Sequence, residues 1–83
     1  MPLVRSQEFG SQPKVTLTPR ERLCLEWAAH GKSRTDIGLI IGLSPRTVKF
    51  HLENAQRKLN VSRTTQAVLL AVLHGLIEVP EGF

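Results

Sequence analysis

Apolar residues recur along this chain at helical rather than strand spacing, in four runs punctuated by glycine, proline and capping residues. Thr18-Pro19 reads as an N-cap followed by proline at the first helical position, and Arg20-Glu21 leads into Leu23, Cys24, Leu25, Trp27 and Ala28 before Gly31. Ser33 with Asp36 three residues later has the spacing of a capping box; Ile37, Ile40 and Ile41 follow at i, i+3, i+4, and Gly42 stops the run. Ser44-Pro45 repeats the cap-then-proline signal only three residues after Ile41, so another helix must start with its axis sharply redirected. This third helix is expected from Pro45 to about Leu59, with Val48, Leu52, Ala55 and Leu59 as its core stripe. After an Asn60-Val61-Ser62 turn, Ser62 is placed to cap a fourth helix that runs through Gln66, Ala67 and Val68 to His74 and ends at Gly75. No stretch alternates as a strand. The expected fold class is therefore all-α, with four helices, and a short helix, glycine turn and longer helix follow helix-turn-helix grammar.

The pattern also sets the domain limits. Residues 17–77 are expected to form one domain, with residues 1–16 as a flexible tail or linker and 78–83 as a second tail. At 83 residues the chain is large enough for a single small core, which buries only about 60% of the unfolded surface. Its longest apolar stretch, Ala67 to Leu73, is far short of the ~20 residues that span a bilayer, so no membrane partner is expected. A single cysteine, Cys24, gives no intrachain disulfide and fits a reducing cytoplasm.

Charge then singles out one helix face. The chain has 11 Lys and Arg against 7 Asp and Glu, a net charge of +4, which favours polyanionic partners. The excess is central: Lys32, Arg34, Arg46, Lys49, Arg57, Lys58 and Arg63 face only Asp36 and Glu53 over the same stretch. If the core stripe of the third helix points inward, Arg46, Lys49, Phe50, Glu53 and Arg57 line its outer side. A large aromatic between a lysine and a glutamate is unusual on a solvated face, but each can read a base edge in a major groove. Lysine donates to guanine, glutamate accepts from cytosine, and the ring presses on a thymine methyl. Lys49, Phe50 and Glu53 are thus the expected base readers in double-stranded DNA, and Arg46, Thr47 and Arg57 the expected backbone contacts. For this helix alone, a solvated face with one stray aromatic is the alternative; the preceding short helix and tight turn favour the groove.

No catalytic or metal chemistry emerges beside this. Gly31-Lys32-Ser33 echoes the end of a phosphate-binding loop, but the glycine that such a loop needs upstream falls at Glu26 and no strand precedes it. His30, His51 and His74 lack metal-ligand spacing, and Cys24 lies at an apolar position of the first helix, where cysteine serves as a small hydrophobe. No enzyme activity, metal or cofactor is expected.

The fourth helix is apolar on two sides. Ala67, Val68, Ala71 and Val72 fit a core-facing stripe, whereas Gln66, Leu69, Leu70 and Leu73 form a second one at i, i+3, i+4, i+7. A homodimer through this second stripe is expected, and a two-fold dimer would read a palindrome with half-sites ~10 base pairs apart. Cover by the N-terminal tail, through Leu3, Val4 and Phe9, is the alternative.

A set of residues spanning about sixty positions without a gap carries a resemblance. It comprises Leu17-Thr18-x-Arg20-Glu21, Trp27-Ala28-Ala29-x-Gly31-Lys32-Ser33, Ile37-Gly38, Ile41 and Leu43-Ser44-x-Arg46-Thr47-Val48. It continues with Phe50-His51, Asn54, Lys58-Leu59-x-Val61, Arg63, Gln66-Ala67-Val68, Ala71 and Gly75-Leu76-Ile77. In these the sequence resembles the C-terminal DNA-binding domain of LuxR-type bacterial transcription regulators, and in Trp27, Phe50-His51 and Asn54 their quorum-sensing branch. The resemblance implies base reading by Lys49, Phe50 and Glu53, backbone contacts near Arg46 and Thr47, and dimerisation through the fourth helix. Glu53 departs from several relatives, which carry a basic or small residue there. The resemblance also implies an acyl-homoserine lactone bound only by an upstream domain, which the sixteen residues before Leu17 are too few to form. RNA polymerase is a further partner to consider. The competing reading is a protein-interaction module that forms heterodimers with a full-length LuxR-type regulator.

Overall fold

A computed structural model describes residues 15–79; the expectations placed on residues 1–14 and 80–83, including tail cover by Leu3, Val4 and Phe9, lie outside them. Four helices follow in order: α1 (Pro19–Ala29), α2 (Arg34–Ile41), α3 (Pro45–Leu59) and α4 (Thr64–Leu73). No strand occurs among the described residues.

Local chemistry explains the starts of the first three. The Thr18 hydroxyl accepts from the Glu21 N–H and the Glu21 carboxylate accepts from the Thr18 N–H, and Ser33 with Asp36 repeats this reciprocal cap. At α3 the Ser44 hydroxyl caps the Thr47 N–H, with Pro45 next. The fourth start departs from expectation. Because α4 begins at Thr64, the capping position falls to Arg63, whose side chain makes no cap hydrogen bond. Ser62 stands one residue too early, and its backbone N–H donates instead to Oε1 of Gln66 at 3.3 Å.

The turn between α2 and α3 is set by backbone geometry. Gly42 has φ of +77°, a left-handed conformation that glycine adopts without a Cβ penalty, and its N–H and that of Leu43 both donate to the carbonyl of Gly38. Gly38 is needed for a different reason: a Cβ there would stand 2.3 Å from the Leu43 carbonyl oxygen.

α3 is the central element and packs against the other three helices. Its whole expected stripe, Val48, Leu52, Ala55 and Leu59, is buried together with Leu17, Cys24, Leu25, Ile37, Ala67, Ala71 and Ile77. Two details differ from the expected phase. On α2, Gly38 rather than Ile40 shares the inner face with Ile37, and Ile40 is exposed. On α4, Ala67 and Ala71 are fully buried and Val68 and Leu70 flank them, which leaves Val72 exposed beside Leu69 and Leu73. Successive residues are 100° apart around a helix, so Val72 falls well away from the Ala67–Ala71 line, whereas Leu70 lies at its edge.

One ion pair ties the ends of two helices together. The Lys58 ammonium, near the C-terminus of α3, contacts Oε1 of Glu21 at 2.7 Å and the Thr16 carbonyl at 3.1 Å. Glu21 is buried at 3% exposure.

Candidate nucleic-acid interface

With the core stripe of α3 fully engaged, the opposite side of the same helix is turned to solvent. Arg46, Lys49, Phe50, Glu53 and Arg57 are all exposed there, and Phe50 keeps 57% of its surface accessible. Placement of these five side chains on one outer face follows from the burial of Val48, Leu52, Ala55 and Leu59.

Within this face the polar groups are only loosely tethered. The Lys49 ammonium and the Glu53 carboxylate lie 4.0 Å apart, one helical turn from each other and about half exposed. Such a surface pair is worth well under about 1 kcal/mol, so either side chain is free to take another partner. Phe50 meets the His51 ring edge-on at 5.5 Å, and His51 is half-buried. The Arg57 guanidinium donates to the Asn54 side chain, which holds it along the helix. Thr47 is half-buried, and its hydroxyl oxygen accepts from Ser44 at 3.0 Å, which leaves its own hydrogen available to an outside acceptor.

Two adjoining grooves that share Arg34, Leu52 and Thr64 border α3. One, of about 530 Å³, opens beside Lys32 and Ser33 at the start of α2. The other, of about 300 Å³, is bounded by Lys49, Glu53 and Gln56 of α3 and by Ser62 and Arg63 before α4. Lys32, Arg34 and Arg63 belong to the basic excess of the sequence, but only the packing of three elements brings them beside α3. Gln56 donates to the Thr64 hydroxyl at 2.9 Å, fixing the start of α4 against α3.

The expected dimer stripe is displayed on a different surface. Leu69 and Leu73 are 57% and 69% exposed, Gln66 is exposed, and Leu70 is half-buried against the core. Cys24 is fully buried on α1, and burial pushes its thiol up from the ordinary value. No cluster of three or more metal-ligating side chains occurs among the described residues, and no helix there is long and apolar enough to cross a membrane.

A short helix, a left-handed glycine turn and a longer helix with a buried inner stripe and a cationic outer face define a helix-turn-helix domain. The family model described as bacterial regulatory proteins, luxR family, matches residues 15–71. The chain belongs to that family, whose members are DNA-binding transcription regulators and not enzymes. It is 53% identical over 64 residues to the transcriptional activator protein LuxR of Aliivibrio fischeri, a match that covers 77% of this chain and 26% of that protein. Among solved structures, transcription factor GerE superposes with a TM-score of 0.73 at 33% identity, covering 77% of this chain and 96% of that one. Escherichia coli SdiA does so with a TM-score of 0.77 at 35% identity, covering 86% of this chain and 30% of that one. The chain thus spans about a quarter of the length of curated relatives it matches.

Proposed function

We propose that this domain reads a specific sequence of double-stranded DNA by seating α3 in the major groove. Lys49, Phe50 and Glu53 contact base edges, while Arg46, Thr47 and Arg57 hold the backbone on either side. The observation that carries this reading is the outer face of α3. An aromatic ring stands exposed among a lysine, a glutamate and two arginines, on a helix whose inner side packs against the other three. The core fixes the direction of that face, so its side chains reach a groove without reorganisation of the fold.

The same proposal includes a homodimer through Gln66, Leu69, Leu70 and Leu73 on α4, which would match a palindromic operator. Exposure of Leu69 and Leu73 supports it. An acyl-homoserine lactone would act through a region other than these helices, and RNA polymerase would be met by a surface left open on DNA. The heterodimer reading uses the same α4 stripe, and it differs in leaving the cations of α3 without a role.

Selection of enriched sequences from a pool of random duplexes, at a stated near-physiological salt concentration, tests the proposal. An enriched palindrome is the expected result. Binding that is uniform across sequences, or loss of a partner's binding only when Leu69 is changed, would favour the interaction module instead.

A further inference from the structure

We propose that the groove on the outer side of α1 is a docking site for the segment that follows α4, with the ring of Phe83 seated against Leu23, Trp27 and His30. This inference is independent of the DNA reading, since none of these residues belongs to α3.

The groove has a built floor. Trp27 and His30 stand with ring centroids 5.3 Å apart and planes tilted by 46°, and Leu23, 38% exposed, continues the apolar surface one turn earlier. Nδ1 of His30 lies 2.9 Å from the carbonyl oxygen of Glu26, which holds the imidazole beside the indole. Glu26 and Glu78 form the rim. The volume, about 270 Å³, is below that of an ordinary small-molecule pocket and of the order of one large side chain. A third ring finds edge-to-face arrangements open to it against such a tilted pair, and a phenylalanine so placed buries about 150 to 250 Å².

The path of the chain selects the occupant. After α4, Gly75 and Leu76 lie beside Arg22, and Ile77 enters the core. Glu78 then reaches the Trp27 groove, where its N–H donates to Oε2 of Glu26 at 3.5 Å. The chain thus advances along α1 from Arg22 to Glu26, toward His30, and Val79 is half-buried. Pro80 disfavours a helical turn at Val79, so the chain is directed onward in extended form. One helical turn, about 6 Å, separates Glu26 from His30, and the five residues from Glu78 to Phe83 span up to ~17 Å, so the ring reaches the groove with slack. Gly82 gives the backbone freedom to turn the ring inward while Glu81, like-charged with the rim, faces solvent. Phe9 is the rival ring. It stands six positions before Val15, which lies at the Arg22 end, and a further turn of α1 separates that end from Trp27.

Trp27 is the single tryptophan of the chain, so its emission reports on this groove. The test is acrylamide quenching of that emission in the full chain at low concentration, joined to a two-dimensional NOE spectrum. Phe83→Ala should shift the emission to the red and raise the quenching constant, Phe83→Leu should restore most of the protection, and Phe9→Ala should change neither. In the parent chain the ring protons of Phe83 should show cross-peaks to the Leu23 methyls and the Trp27 indole, a readout that needs no substitution. An unchanged quenching constant in Phe83→Ala, or absence of those cross-peaks, would overturn the proposal. A response to Phe9→Ala in place of Phe83→Ala would give the groove to the segment before α1. Protection that grows with protein concentration would give it to a second copy, and either result rejects Phe83 as the occupant.

Discussion

Glu21 shows how much a single residue can hold. Burial by itself raises its carboxyl, but hydrogen bonds from Lys58 and the Thr18 N–H, with the charges of Lys58 and His51, bring the net value below the ordinary 4.5. A carboxyl depressed on folding contributes stability that is fully present above 4.5 and is lost as pH falls through the lowered value. Thermal melts should therefore weaken on acidification below about 4.5, and Glu21→Gln should flatten that part of the curve. At neutral pH the same substitution should cost about 1 to 3 kcal/mol, since it deprives Lys58 and a helix cap of their charged partner. A glutamine variant with the wild-type acid response would remove Glu21 from that role. Gly38 is limiting for a steric reason. A methyl at 2.3 Å from the Leu43 carbonyl forces the α2–α3 turn apart, so Gly38→Ala should lose about 1 to 3 kcal/mol in denaturant unfolding.

Within α3, the two kinds of contact predict different outcomes for neighbouring substitutions. Lys49→Ala should relax preference at one base position and cost about 1 to 3 kcal/mol on the selected site, with a smaller effect on random duplex. Equal losses on both, in competition binding, would move Lys49 from the bases to the backbone. This helix was also the most legible in sequence. Ser44-Pro45 marked its start and the Val48–Leu59 stripe its inner side, and both are local signals. The start of α4 was harder, because Ser62 and Arg63 differ by one position and only the end of the preceding turn decides which one caps. The inward expectation for Val72 fails because α4 is apolar almost all round, and such a helix carries little periodic information about its phase. Gly38, the Glu21–Lys58 pair and the grooves beside α3 lie beyond local pattern altogether. Each depends on residues brought together by packing: Leu43 against α2, Lys58 thirty-seven positions from Glu21, and Arg34 beside Arg63.

For the molecule as a whole, the reading face and the leucine stripe occupy separate helices, which allows each to be removed without the other. Leu69 and Leu73 leave more than half their surface in solvent although Ala67 and Ala71 on the same helix are sealed into the core. Substitution of either leucine therefore removes no core packing. Leu69→Glu should leave the thermal midpoint near that of the parent chain, abolish self-association in sedimentation velocity, and lower affinity for a palindromic duplex while sparing a single half-site. The half-site is the informative arm, because α3 and its outer face remain intact in each protomer and only the coupling between two copies is lost. Equal weakening on palindrome and half-site would mean that the stripe supports the fold of α4 and not a dimer. A wild-type chain that remains monomeric at high concentration, yet still prefers the palindrome by more than the half-site doubled, would place the coupling in the DNA.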